Sequence, residues 1–202
     1  MKRMALLPLL VLATAGFNPA DAGEEEPERY VIDRSHTQLT FVVRHMLVTN
    51  VRGKFNSFEG EILLDEQDVT KSSVQVTIET ASVDTDHERR DADLRGEDFF
   101  ATDRFPTITF VSKRVEQAGE GLVLIGDLTM RDITKEVEIP FDLVGPVETG
   151  QGQRRIGIEG SLTVNRFDWG LKWDRKIESG GLVVAENVKI ELNIEAATPR
   201  QR

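Results

Sequence analysis

The run Asn187-Val188-Lys189-Ile190-Glu191-Leu192-Asn193-Ile194 alternates polar and branched apolar residues without a break. Successive side chains of an extended backbone point to opposite faces, so this period of two describes a strand with one dry face and one wet one. The same alternation recurs upstream. Leu39, Phe41 and Val43 oppose Thr40 and Arg44; Val74, Val76 and Ile78 oppose Gln75 and Thr77; Ile108 and Phe110 oppose Thr107 and Thr109. Leu122, Leu124, Leu128 and Met130 share a parity, as do Val137, Ile139, Phe141 and Leu143, and then Ile156, Ile158, Leu162 and Val164. Turn signals at Gly119-Glu120-Gly121, Arg131-Asp132-Ile133-Thr134, Gly150-Gln151-Gly152 and Gly180-Gly181 divide the runs. No helix-length crossover separates successive strands, which excludes a parallel sheet. The reading is all-β: about eight antiparallel strands, a number that closes into a barrel filled by side chains or holding one small ligand.

Polarity fixes which way this barrel faces. A membrane-spanning barrel is apolar outside and carries aromatic girdles. Here the second parity is Lys, Glu, Thr, Asn and Gln, and the chain has a single tyrosine, so the apolar face points inward. One short helical insertion is expected. Thr85-Asp86-His87-Glu88 reads as a capping box with Thr85 as N-cap, and the helix runs to about Leu94 or Arg95 with Gly96 as its stop. Asp84, Asp86, Asp91 and Asp93 then read as cap and solvated helix face, and Arg90 as a partner of Asp91 or Asp33. Phe99-Phe100 follows, placed to cover a barrel opening.

The first 22 residues are expected to be a secretory signal peptide. Lys2 and Arg3 precede an apolar run from Ala5 to Ala15, and Ala20-Asp21-Ala22 offers a cleavage site between Ala22 and Gly23. The apolar run is shorter than the roughly 20 residues a spanning helix needs, and no later segment approaches that length. The reading is therefore an exported protein, periplasmic or secreted beyond the periplasm, without direct membrane insertion: a mobile acidic leader over 23–29, then one barrel domain over 30–197. Without Lys2, Arg3 and Asp21 the chain keeps 23 basic and 34 acidic residues, a net −11. That surface argues against nucleic acid and anionic lipid headgroups as main partners. The absence of cysteine excludes a lipidated N-terminus, disulfides and thiolate chemistry.

Ordered motifs run along the rest of the chain. They are Tyr30-Val31-Ile32-Asp33 with His36; Phe41-Val42-Val43-Arg44-His45; Gly53-Lys54-Phe55; Ser82-Val83-Asp84-Thr85; Asp98-Phe99-Phe100; Phe105-Pro106-Thr107-Ile108-Thr109-Phe110; Leu128-Thr129-Met130-Arg131; Asn165-Arg166-Phe167-Asp168-Trp169-Gly170; and Glu186-Asn187-Val188. In this order they resemble the YceI-like family of periplasmic proteins. The resemblance implies a lipocalin-like barrel that binds a polyisoprenoid or related long-chain lipid along its axis, and it adds a homodimer to the expected partners. Asp132 stands where the family usually has glycine, and Trp169 where phenylalanine is common.

For such a ligand the inward faces offer Leu39, Phe41, Val43, Phe110, Leu128, Phe141 and Ile190 as wall residues, with Trp169 at the mouth. Simple core packing is the other reading of each. A tail of about 30 carbons at roughly −0.3 kcal/mol per heavy atom gives about −9 kcal/mol, a sub-micromolar affinity. His45 shares parity with Phe41 and Val43, which makes it either a headgroup anchor or a hydrogen-bonded structural histidine. It is also the one candidate for an enzyme acting on a lipid or quinone. A third reading is an interaction module docking on a membrane partner through the Phe99-Phe100 surface or the acidic exterior. His36, His45 and His87 form no metal-ligand spacing, and neither a nucleophile elbow nor a Gly-rich phosphate loop occurs, so no metal, cofactor or catalytic residue is expected.

Overall fold

In the computed structural model the alternating runs become strands of one antiparallel sheet. The structure describes residues 26–178 and 181–200; the expected signal peptide, its cleavage point and the leader as far as Glu25 lie outside the described residues. The strands are β1 (Glu28–Ile32), β2 (Gln38–His45), β3 (Thr49–Phe55), β4 (Phe58–Leu64), β5 (Ser73–Glu79), β6 (Val83–Asp84), β7 (Thr107–Ala118), β8 (Gly121–Met130), β9 (Ile133–Thr149), β10 (Gln153–Asn165) and β11 (Val184–Ala197). The order β1-β4-β5-β7-β8-β9-β10-β11 closes when β1 pairs with β11 through Val31 opposite Ala197 and Ile32 opposite Ala196. This is the expected eight-stranded barrel. The three remaining segments extend its walls. β2 continues β1 along β11, β3 leads into β4, and β6 pairs with β3, so the early strands are long strands bent in the middle.

Two glycines on inner faces make room for aromatic rings. A β-carbon at Gly53 would lie 2.3 Å from Cζ of the Phe41 ring that covers it. At Gly126 it would lie 2.6 Å from Phe110 Cζ and 2.6 Å from the Val111 carbonyl oxygen. A ring can turn away, but a backbone carbonyl held in the β7–β8 ladder cannot. Gly126→Ala should therefore cost about 1–3 kcal/mol, read as a lower urea midpoint at unchanged slope; an unchanged midpoint would show that the ladder gives way there.

The seam between β9 and β10 is incomplete. The β9–β10 ladder runs from Gln153 opposite Thr149 to Gly160 opposite Phe141 and stops. Beyond it, Ile133–Pro140 pairs only with β8 and Ser161–Asn165 only with β11. Continued register would set Ser161 against Pro140, a residue with no amide hydrogen to donate.

The end of the barrel where β1 meets β11 is tied by charge. Arg155 donates to Asp33 and Glu195, and Arg154 to Glu28 and Glu66. The buried Tyr30 hydroxyl, its pKa raised by burial and then by its bond to Glu28, donates to Glu28 at 3.0 Å. His36 Nδ1 lies 3.0 Å from Asp33, and that bond raises its pKa. Bonds from Ser35, His36 and Arg155 hold Asp33 well below the usual carboxylate range. Asp33, His36 and Glu195 bring three ligand atoms within 4.8 Å, yet Arg155 already bonds both carboxylates, so the trio is an ion-pair cluster. A histidine whose pKa rises on folding stabilises fully below its unfolded pKa and loses that contribution as pH climbs through the folded one; a depressed carboxylate does the reverse at the acid side. The pair should help most between about pH 4 and about pH 6.5. The urea-midpoint gap between the native protein and His36→Gln should accordingly shrink as pH rises from 6 to 9, and a gap independent of pH would remove histidine protonation as its source.

The helical insertion differs at its start from the sequence expectation. The helix α1 spans Glu88–Arg95, its N-cap is His87, whose ring accepts from Arg90 N at 3.2 Å, and it stops at Gly96 as expected. Thr85 is buried outside the helix, because Asp86 at φ 57° turns the chain between them. Asp91 is buried rather than solvated and accepts from the Thr85 amide at 2.9 Å and its hydroxyl. Arg90 bonds the hydroxyl and carbonyl of Thr85, not Asp91 or Asp33.

Candidate functional site

Inward residues from nearly every strand surround an elongated cavity of about 220 Å³. The registers define its two ends. Toward the ion-paired end lie Leu64, Val69, Ser72, Leu143 and Ile158; toward the other lie Leu94, Phe99, Phe100, Leu171, Val184 and Arg166. Along β11, Val188, Ile190 and Leu192 face this space and stay only partly buried, whereas Ile194 below them is buried. Well-packed interiors hold few voids larger than a water molecule. At about 24 cal/mol per Å³, an empty space of 220 Å³ corresponds to about 5 kcal/mol of forgone packing.

The sequence-selected residues divide. Leu39, Phe41, Val43, Phe110, Leu128, Phe141 and Ile190 all line the cavity. His45 does not. The β2–β11 ladder shifts between Val184 and Val188, where Val184 faces His45 and Val188 faces Val43. Three β11 residues bulge past one of β2 there, and along β2 the lining stops at Val43. Trp169 is also outside the lining. It is 2% exposed in the 3-10 turn Arg166–Trp169, packed among core residues, with its indole N–H donating to the Leu128 carbonyl at 3.1 Å. Phe100 is buried and Phe99 stacks near Trp173 at 5.7 Å, so this pair closes the cavity instead of forming a docking surface. Exposed apolar area gathers instead at the β2–β3 hairpin tip, Met46, Leu47 and Val48.

Arg166 was not singled out as a site residue, yet it is the one charged side chain in the cavity lining among the described residues. Inward parity along β10 reaches it through Leu162 and Val164, which was the available signal. It is 4% exposed. Its guanidinium donates to the carbonyls of Ala185 (2.9 Å), Leu171, Trp173 (2.6 Å) and Val184 (3.1 Å), clasping both ends of the 171–185 excursion. Burial pushes its pKa down, and the fields of Glu186 and Asp174 oppose that shift. Arginine remains a cation near neutral pH. Among the described residues the cavity therefore presents apolar walls and one fixed positive charge.

Comparison with known proteins agrees with this architecture. A family model described as the YceI-like domain matches residues 30–196. A UPF0312 protein of Pseudomonas aeruginosa is 37% identical over 170 residues, covering 83% of this chain and 87% of its own. One from Shewanella putrefaciens is 38% identical over 173 residues, with coverages of 84% and 86%. Among solved structures, the Campylobacter jejuni YCEI protein superposes with a TM-score of 0.67 at 25% identity, over 77% of this chain and 90% of that one. A polyisoprenoid binding domain from Saccharophagus degradans shares the fold with a TM-score of 0.64 at 16% identity, over 84% and 98%. With strand order, cavity and sequence in agreement, the chain belongs to the YceI-like family.

Proposed function

We propose that this protein holds a long-chain hydrophobic molecule, a polyisoprenoid or a fatty chain, inside its barrel, and that it carries or sequesters that molecule in the periplasm. The observation that carries the reading is the unfilled apolar interior faced by Val188, Ile190 and Leu192. A void of that size is costly when empty and favourable when a hydrocarbon chain occupies it. A wall of aliphatic and aromatic side chains with very few polar groups is the ordinary form of such a site. A protein of the same fold named for polyisoprenoid binding supports the same ligand class. The periplasmic placement rests on the charge, apolar run and small residues of positions 1–22.

The test is mass spectrometry of the organic extract of protein purified from periplasm without detergent. Stoichiometric long-chain lipid is the expected result and identifies the ligand. An empty barrel that also takes up no prenyl or fatty compound in a titration would overturn the reading and leave the barrel as an interaction module.

A further inference from the structure

Arg166 lies in the one place where the apolar cavity meets a fixed positive charge. Its guanidinium has five N–H donors. Four are spent on the carbonyls of Ala185, Leu171, Trp173 and Val184, and the fifth, on Nη1, has no partner among the described residues. No carboxylate among the described residues forms an ion pair with it. Glu186 and Asp174, whose charges bear on it, are both exposed, and neither lies in the cavity lining. A guanidinium buried this deeply ordinarily meets a carboxylate, since an unpaired buried charge is costly. Here four carbonyl dipoles and the face of the Phe167 ring, 4.3 Å from the guanidinium carbon, solvate it without neutralising it.

Its surroundings narrow what could supply the missing negative charge. Leu171 and Val184 flank it in the lining, and Leu162 and Val164 precede it on the inner face of β10. The other polar residues in the lining are Thr40 and Ser72; Thr40 donates to the Glu191 carbonyl, and the Ser72 hydroxyl accepts from the Asp65 amide. Both are engaged within the protein, and Ser72 lies at the opposite end. A molecule whose tail fills the cavity therefore meets one strong, unsaturated donor, at the end closed by Phe99, Phe100 and Leu171.

From this we infer that the cavity selects long-chain molecules with an anionic head, a phosphate ester or a carboxylate, and that Arg166 is the anchor for that head. The inference rests on the hydrophobic-ligand reading above and adds the headgroup chemistry. Charge-assisted bonds from guanidinium to phosphate or carboxylate are among the stronger hydrogen bonds, more so in a dry site. The clasp on residues 171–185 is compatible with this role: it fixes the guanidinium so that an arriving anion meets a donor already oriented.

The test compares heads on constant tails. Geranylgeranyl monophosphate against geranylgeraniol, and palmitate against hexadecanol, are titrated calorimetrically into delipidated full-length protein below their aggregation concentrations. Each acid should bind at least tenfold tighter than its alcohol, and the tail pair with the larger ratio distinguishes a phosphate ligand from a carboxylate one. Arg166→Gln, checked for a native circular dichroism spectrum, should bring the ratio below threefold while alcohol binding persists. Equal affinities of acid and alcohol in the native protein would overturn the anchor and leave the cavity reading intact, whether or not the variant folds. Binding of none of the four compounds would overturn the cavity reading and the anchor with it.

Discussion

Ile190→Trp should close the cavity while leaving the barrel standing. Ile190 faces Phe41 on β2 and Leu162 on β10, at mid-height among residues that line the empty space. An indole there occupies volume that no side chain fills, so the stability cost should stay within about 1–3 kcal/mol, the range for added core volume. Its effect on a ligand is larger. Excluding five or six carbons at about 0.3 kcal/mol each removes about 1.5–2 kcal/mol, roughly 20-fold in affinity, and more where the tail cannot pass at all. Calorimetric titration with geranylgeraniol reads the loss, and Lys189→Trp, one residue away on the outer face, is the control. Equal affinity of Ile190→Trp and the native protein would mean that the tail does not lie along β11.

Trp169→Ala should produce the largest loss of stability of any single change considered. Trp169 is almost fully buried and contributes a large apolar surface as well as an indole hydrogen bond. Truncating such a residue costs about 3–5 kcal/mol, against a typical total of about 5–15 kcal/mol. Trp169→Phe keeps most of the packing but leaves the Leu128 carbonyl without this donor, for about 1–3 kcal/mol. Because Trp169 is absent from the cavity lining, neither change should alter lipid affinity in the fraction that remains folded. A denaturant titration paired with a ligand titration separates the two effects. Affinity that falls for Trp169→Phe while stability holds would return this residue to the mouth, where the family resemblance placed it.

The difference between what the residues announced and what they hid follows from how far periodicity carries. Alternation is a property of regular strands, so Leu39, Phe41, Val43, Phe141 and Ile190 were readable: each sits in an uninterrupted ladder, where period two decides the face. His45 lies two residues beyond Val43, the last β2 residue in the lining; alternation gives a face but not how far along a strand the cavity reaches. Trp169 was placed at the mouth by the family resemblance rather than by any period, and the 3-10 turn Arg166–Trp169 instead sets it among core residues. Thr85 fails as an N-cap for a related reason. The capping-box pattern is local, but Asp91 competes for the Thr85 amide and hydroxyl, and the cap passes to His87. Arg166 shows the opposite error: its parity matched Leu162 and Val164, but a charged residue on an inner face was not followed inward.

The seam between β9 and β10 has a mechanical consequence. A barrel closed by ladder bonds all the way round behaves as a hoop, in which widening at any level must tear hydrogen bonds. This one is a hoop at the ion-paired end and a slit collar at the other, because Ile133–Pro140 and Ser161–Asn165 face each other without bonding. The salt bridge of Lys135 to Asp168, 3.8 Å and largely exposed, spans the slit region and offers little resistance. The collar can therefore spread to take a bulkier chain by parting side chains alone, Val137 on one lip and Leu162 and Val164 on the other, while every rung of the ladder stays in place.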